Sequence, residues 1–141
     1  MIIKQLSVFL ENKSGRLTEV TEVLASAKIN ISAFSIADTA EFGILRMIVN
    51  KPEDAEATLK ARGISVHITD VIAVVVPHEP GGLHRALHIL SAEGISIEYM
   101  YAFALGDRAT VIIRTEAIQQ TIDVLKKHKL ELVKASEIYE V

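Results

Sequence analysis

The chain has 141 residues, 50% of them hydrophobic, with 15 basic and 18 acidic residues and a formal net charge of -3. That balance excludes an electrostatic match to nucleic acid or an anionic membrane and favours a small neutral or zwitterionic partner. The absence of cysteine excludes disulfides, thiolate nucleophiles and cysteine metal sites, and the longest apolar runs, such as Val71-Ile72-Ala73-Val74-Val75-Val76, fall far short of the ~20 residues that cross a bilayer.

Met1 to Leu6 lacks a basic segment followed by an apolar stretch and a cleavage site, so the expected location is the cytoplasm. Ile3 to Leu10 reads as a strand, and Leu17, Val20, Leu24 and Ala27 follow at helical spacing on one face. Ile29 to Ile36 and Gly43 to Val49 read as an antiparallel strand pair joined by a hairpin turn at Asp38-Thr39-Ala40-Glu41. Pro52 and Gly63 bracket a helix over 53–62, because proline suits the first turn and glycine the position after the last. Ile64 to Ile68 completes this set as a strand.

A second set follows in the same order. It comprises a strand at 71–76, a helix at 82–92, a strand at 95–104, a turn at Gly106-Asp107, a strand at 109–114, a helix at 116–128 and a strand at 130–135. The two sets are one pattern repeated at an offset of about 66 residues, which carries Gly15 onto Gly81, Leu24 onto Leu90 and Ile31 onto Ile97. Each copy is βαββαβ, so the expected class is α+β: two ferredoxin-like units, each an antiparallel sheet with both helices on one face. The expected domains are 1–69 and 70–141, docked through the short junction Thr69-Asp70. The segment from Ser136 to Val141 aligns with the strand that opens the second copy, which makes it a candidate edge strand or a segment that pairs with another chain.

The turns after the first strand of each copy carry the motifs. Glu11-Asn12-Lys13-Ser14-Gly15-Arg16-Leu17 and Pro77-His78-Glu79-Pro80-Gly81-Gly82-Leu83 resemble the strand-to-helix turn of ACT domains. Ile29-Asn30-Ile31 and Ile95-Ser96-Ile97 resemble that family's entry into its second strand. The resemblance spans the chain and occurs twice, so the protein looks like a stand-alone tandem ACT protein with no attached catalytic domain. It implies regulatory binding of small ligands, most often amino acids, at interfaces between paired ACT units. The candidate ligand-binding residues are Asn12, Lys13, Ser14, Gly15, Arg16, Leu17, Asn30 and Ile31 in the first copy. In the second they are His78, Glu79, Pro80, Gly81, Gly82, Leu83, Ser96 and Ile97. Ser14 departs from the proline usual in the motif, and a serine there can cap the helix instead.

Physical chemistry supports the same location. A glycine where a strand gives way to a helix leaves amide N–H groups without intrahelical partners and no Cβ to hold a ligand off, a setting that suits a carboxylate. Asn12, Ser14 or Asn30 can hydrogen-bond a ligand, and Glu79 can answer an ammonium. The plainer reading is that the glycines only make the turn. Strand alternation puts Phe34 and Ile36 in line with Met100 and Ala102, and Ala33, Ser35 and Ala37 in line with Tyr99, Tyr101 and Phe103. The aromatic stripe is either core or a surface that needs a partner, most simply a second copy in a homodimer. A stacking surface for RNA is the sharper alternative, which the acidic balance opposes.

His84 and His88 lie four apart on one helix, a spacing that can chelate a metal. They lack the glutamate of an H-E-x-x-H site and a clear third ligand in sequence, His78 being near the helix start, and they fall opposite the expected buried stripe of Leu83, Ala86, Leu87 and Leu90. No metal or cofactor is expected. No spacing brings an acid, a base and a nucleophile together, and no phosphate-loop signature occurs, so no enzymatic activity is expected. The sequence reads as a regulatory protein that binds an amino acid and signals to a partner enzyme or regulator. The alternatives are an assembly module without a ligand and a metal-responsive sensor.

Overall fold

A computed structural model of the chain describes residues 1–11, 13–38 and 41–139. Two compact units emerge: Lys4–Thr69 with the segment from Ser136 onward, and Met1–Ile3 with Asp70–Ala135. The change from one unit to the other near Thr69 thus agrees with the repeat, while each end of the chain belongs to the unit built mainly from the other copy.

In the first unit the elements are β1 (Ile3–Glu11), α1 (Arg16–Ser26), β2 (Ile31–Asp38), β3 (Phe42–Val49), α2 (Pro52–Ala61) and the opening of β4 (Val66–Pro77). The strand order is β2-β3-β1-β4, with β1 and β2 each antiparallel to β3. The second unit takes the rest of β4, then α3 (Gly82–Ala92), β5 (Tyr99–Leu105), β6 (Arg108–Arg114), α4 (Ile118–Lys127) and β7 (Glu131–Leu132). Here β6 lies between β4 and β5, and β7 pairs with the other edge of β4, all antiparallel. Each unit is a ferredoxin-like βαββαβ sheet with its helices on one face.

Alternation fixes that face. Leu6, Val8 and Leu10 of β1 and Leu45 and Met47 of β3 pack with Val20, Val23 and Leu24 of α1 and Leu59 of α2. Ile72, Val74 and Val76 of β4 and Val111 and Ile113 of β6 pack with Ala86 and Leu90 of α3 and Ile122 and Leu125 of α4. The helix ends follow their composition. Pro52 opens α2, with Glu53 and Asp54 in its first turn and Lys60 in its last, and Lys126 and Lys127 close α4.

Three expectations change. The strands expected at 64–68 and 71–76 form one strand, β4, because Thr69-Asp70 continues the extended backbone without a turn residue. The strand expected at 130–135 keeps only Glu131–Leu132, with the Val133 N–H donating to the Ala73 carbonyl at 2.9 Å. The terminal segment is a helix, α5 (Ala135–Tyr139), with Ile138 buried and the Tyr139 hydroxyl accepting from the Lys4 N–H at 2.7 Å. The hairpin turn at Thr39-Ala40 lies outside the described residues.

The repeat extends to backbone conformation. Positive φ recurs at the same offset: Gly15 with Gly81, Lys28 with Gly94, and Gly63 with Lys129. Lys28 and Lys129 therefore hold, with a side chain, a left-handed conformation that the other copy gives to glycine. That conformation costs a non-glycine residue about 1–2 kcal/mol, against which glycine adds back about 0.5–1 kcal/mol of unfolded-state entropy. Lys28→Gly and Lys129→Gly are each expected to raise stability by about 0.5 kcal/mol in chemical denaturation.

Candidate ligand site at the strand-to-helix turns

Both turns have one backbone. Gly15 (φ 89, ψ -13) and Gly81 (φ 88, ψ -13) are the N-caps of α1 and α3, and each helix begins without a side-chain cap. Their carbonyls accept the first helical bonds, from the Glu19 N–H at 2.9 Å and the Arg85 N–H at 3.0 Å. Ser14 therefore does not cap α1: the left-handed glycine takes the N-cap position and leaves the serine one place too early. Asn12 lies outside the described residues. No atom stands within 4 Å of where a Cβ would sit on Gly15 or Gly81, so the space beside each glycine is open. Gly82 differs, because a Cβ there would meet the Pro77 carbonyl oxygen at 2.1 Å.

In the second unit the turn borders a cavity of about 300 Å³. His78, Glu79 and Leu83 line it from the turn, Val76 and Val111 from the core strands, and Phe103 from the edge strand. An apolar wall thus meets an imidazole and a carboxylate, the mix of broad apolar lining and few polar groups that small-molecule sites use. The His78 N–H donates to the Asp107 carbonyl at 2.8 Å, which holds the turn against the β5–β6 connection. Pro80, Gly81, Gly82, Ser96 and Ile97 do not line the cavity. Ser96 is exposed, and Ile97 packs against the core of the unit. Sequence reasoning missed Val76, Ala102, Ala104, Ala109 and Val111 as lining residues. They lie on β4, β5 and β6, which tertiary pairing brings to the turn, so local spacing carries no signal for them.

The aromatic stripe is resolved by register. Tyr101 pairs with Ile112 and Ala102 with Val111, and Val111 belongs to the core beneath the helices, so Tyr99, Tyr101 and Phe103 lie on the opposite face. That face is not bare: Val71, Ala73 and Ile112 on it are fully buried, Tyr99 and Tyr101 are half-buried, and Phe103 and Leu105 toward the end of β5 are exposed.

The first unit fills its turn with charge. Glu11 pairs with Lys13 at 2.8 Å and with Arg16 at 3.8 Å, and Arg16 also reaches Glu19 at 3.2 Å. The hydrogen bond and charge of Lys13, then the charge of Arg16, hold the Glu11 carboxyl below the usual glutamate range. A lowered carboxylate pKa contributes stability that is present above the unfolded pKa and lost as pH falls through the folded one. Lys13→Ala is expected to move the Glu11 titration upward in carbon-detected NMR, and added salt to move it the same way. Leu17 is exposed, and Ile31 packs against the core. The Asn30 N–H donates to Asn50 Oδ1 at 3.0 Å and the Asn50 N–H returns to the Asn30 carbonyl at 3.2 Å, a latch between the start of β2 and the end of β3.

His84 and His88 stack with ring centroids 5.9 Å apart on exposed α3, and no group of three His, Asp or Glu side chains able to hold a metal occurs among the described residues. No described helix is long and apolar enough to cross a membrane.

The structure resembles several solved ones. A Bacteroides thetaiotaomicron protein is 53% identical, with a TM-score of 0.97 over 100% of this chain and 98% of that one. The regulatory subunit of aspartate kinase from Thermus thermophilus, in its ligand-free form, is 16% identical with a TM-score of 0.68, covering 88% of this chain and 91% of that one. The corresponding Thermus flavus subunit is 14% identical with a TM-score of 0.65, covering 90% and 94%. No curated protein matches the chain by sequence. The family model of the ACT domain pair matches residues 1–141. With the fold repeated twice and the glycine turn conserved in geometry between the two copies, this chain belongs to the ACT domain pair family, whose domains are regulatory ligand-binding modules.

Proposed function

We propose that this protein is a non-catalytic, cytoplasmic regulator that binds a free amino acid at the strand-to-helix turn of its second ACT domain, residues 70–141. The observation that carries the reading is the largely apolar cavity bordering this turn, with His78, Glu79 and Leu83 on its lining. In this reading the ligand carboxylate meets the start of α3 beyond Gly82, where the helix dipole favours an anion. Glu79 answers the ammonium, and Leu83, Phe103 and Val111 contact an apolar side chain.

Binding then shifts the balance between conformations or assemblies and carries the signal to a partner enzyme or regulator. The likeness in fold to regulatory subunits of aspartate kinase supports such a role. A homodimer, with an ACT domain of a second chain closing the open side of the cavity, completes the site. The first domain, residues 1–69, is the weaker site, because Glu11, Lys13 and Arg16 already neutralise one another there. Glu79→Gln is expected to weaken amino-acid binding about tenfold in calorimetric titration, with the fold unchanged. Equal affinity in that variant removes Glu79 from the site.

A further inference from the structure

A second groove, in the first unit and bordered by the charged residues of its strand-to-helix turn, has diverged between the copies. We propose that this groove, formed by the ends of β1 and β3, the first turns of α1 and the α2–β4 connection, is a binding site for a small carboxylate with an apolar or aromatic body and no α-ammonium, such as a 2-oxo acid, with Arg62 as its anchor. The proposal does not rest on amino-acid binding at the second domain, and it shares only Glu11 and Arg16 with the weaker first-domain turn.

The groove encloses about 360 Å³, near the lower end of the range for small-molecule sites. Phe9 and Phe42, 47% and 52% exposed, line it with Val20 and present aromatic surface to a ligand. Its charged lining is Glu11, Arg16, Glu19 and Arg62. Arg16 engages both carboxylates, and Lys13 engages Glu11 again. The Arg62 side chain has no hydrogen-bond or ion-pair partner among the described residues. One guanidinium is therefore unanswered while every carboxylate is already paired. An anion finds a counter-charge, and an ammonium finds none. Arginine also matches the planar, two-oxygen geometry of a carboxylate.

The other copy supplies a comparison within the same chain. At the offset of the repeat, the corresponding groove is lined by Val75, Arg108, Lys129 and Glu131. There Arg108 stands where the first unit has Phe42, Glu131 where it has Ser65, and the two form an ion pair. Val75 replaces Phe9, and His128 replaces Arg62. In the second unit, then, a cation and an anion answer each other across the groove. In the first unit the same two places carry an aromatic ring and a small hydroxyl, and the cation stands elsewhere without a partner. A groove is present at the same place in both copies, and the first unit lines it with two aromatic rings where the second has Val75 and the Arg108–Glu131 ion pair.

The test uses the full chain, with sodium phenylpyruvate as the probe and phenylalanine as its α-ammonium counterpart, followed by amide shifts in heteronuclear NMR. Phenylpyruvate at up to about 5 mM is expected to shift amides of 9–20, 42 and 62–65 along a saturable curve, and phenylalanine to leave those amides unmoved. Arg62→Gln, a change at an exposed side chain, is expected to weaken phenylpyruvate binding at least about tenfold. The double variant Phe42→Arg with Ser65→Glu, which installs the ion pair of the other copy, is expected to abolish it. Absence of saturable shifts in this cluster, undiminished binding in Arg62→Gln, or equal binding of phenylalanine there would each overturn the proposal.

Discussion

Gly82→Ala is expected to cost about 2 kcal/mol and to lower the thermal midpoint by about 6 °C. The added methyl would stand 2.1 Å from the Pro77 carbonyl oxygen, and a backbone atom cannot step aside as a flexible side chain can. The variant still folds, because the first unit carries Arg16 at the equivalent place with the same turn hydrogen bonds. What must move is Pro77, which lines the proposed amino-acid cavity, so affinity is expected to fall together with stability. Gly81→Ala makes the contrast. Its Cβ meets nothing within 4 Å, and its cost is the left-handed strain at φ +88, about 1–2 kcal/mol. Denaturation curves of the two variants separate contact from strain: a Gly82→Ala midpoint equal to wild type would show that the turn is not packed as described.

Ile138→Ala is expected to cost about 2–4 kcal/mol, a core-sized penalty from a five-residue helix at the end of the chain. Ile138 is only 2% exposed, and α5 from Ser136 onward groups with Lys4–Thr69. Tyr139→Phe removes one hydrogen bond and is expected to cost about 1 kcal/mol. Hydrogen exchange checks both variants at one atom: the Lys4 amide, which donates to the Tyr139 hydroxyl at 2.7 Å, loses protection in each. Full protection of Lys4 in Tyr139→Phe would contradict the contact.

These two variants mark where sequence was and was not a guide. The duplication was legible because a 66-residue offset preserves the apolar periodicity and the glycines, and the structure extends it to positive-φ positions that no periodicity shows. Elements with strong patterns, such as α3 at Gly82–Ala92, match their expected bounds to the residue. The terminal segment aligns with the start of the second copy, which leaves an edge strand or a segment that pairs with another chain as its candidates. Ser136 to Tyr139 is too short for period 2 and period 3.6 to differ, and burial of Ile138 selects the helix. The candidate site divides in the same way. His78, Glu79 and Leu83 were legible as turn residues beside a glycine, and they line the cavity. The far wall at Val76, Phe103 and Val111 comes from strands brought together by tertiary pairing, which local spacing cannot reveal. Ser14 failed as a cap because capping depends on one backbone position, and the left-handed Gly15 already occupies it.

The measurement that bears most directly on the regulatory reading is a thermal-shift screen of the full chain against each of the common amino acids, with calorimetry on any that respond. A specific ligand at a hundredfold excess over its dissociation constant adds about 2.7 kcal/mol, a rise of several degrees. The account predicts that rise for one amino acid or a closely related few, reduced in Glu79→Gln and in Gly82→Ala. A flat response to every amino acid would contradict it and leave an ACT domain pair that serves assembly alone.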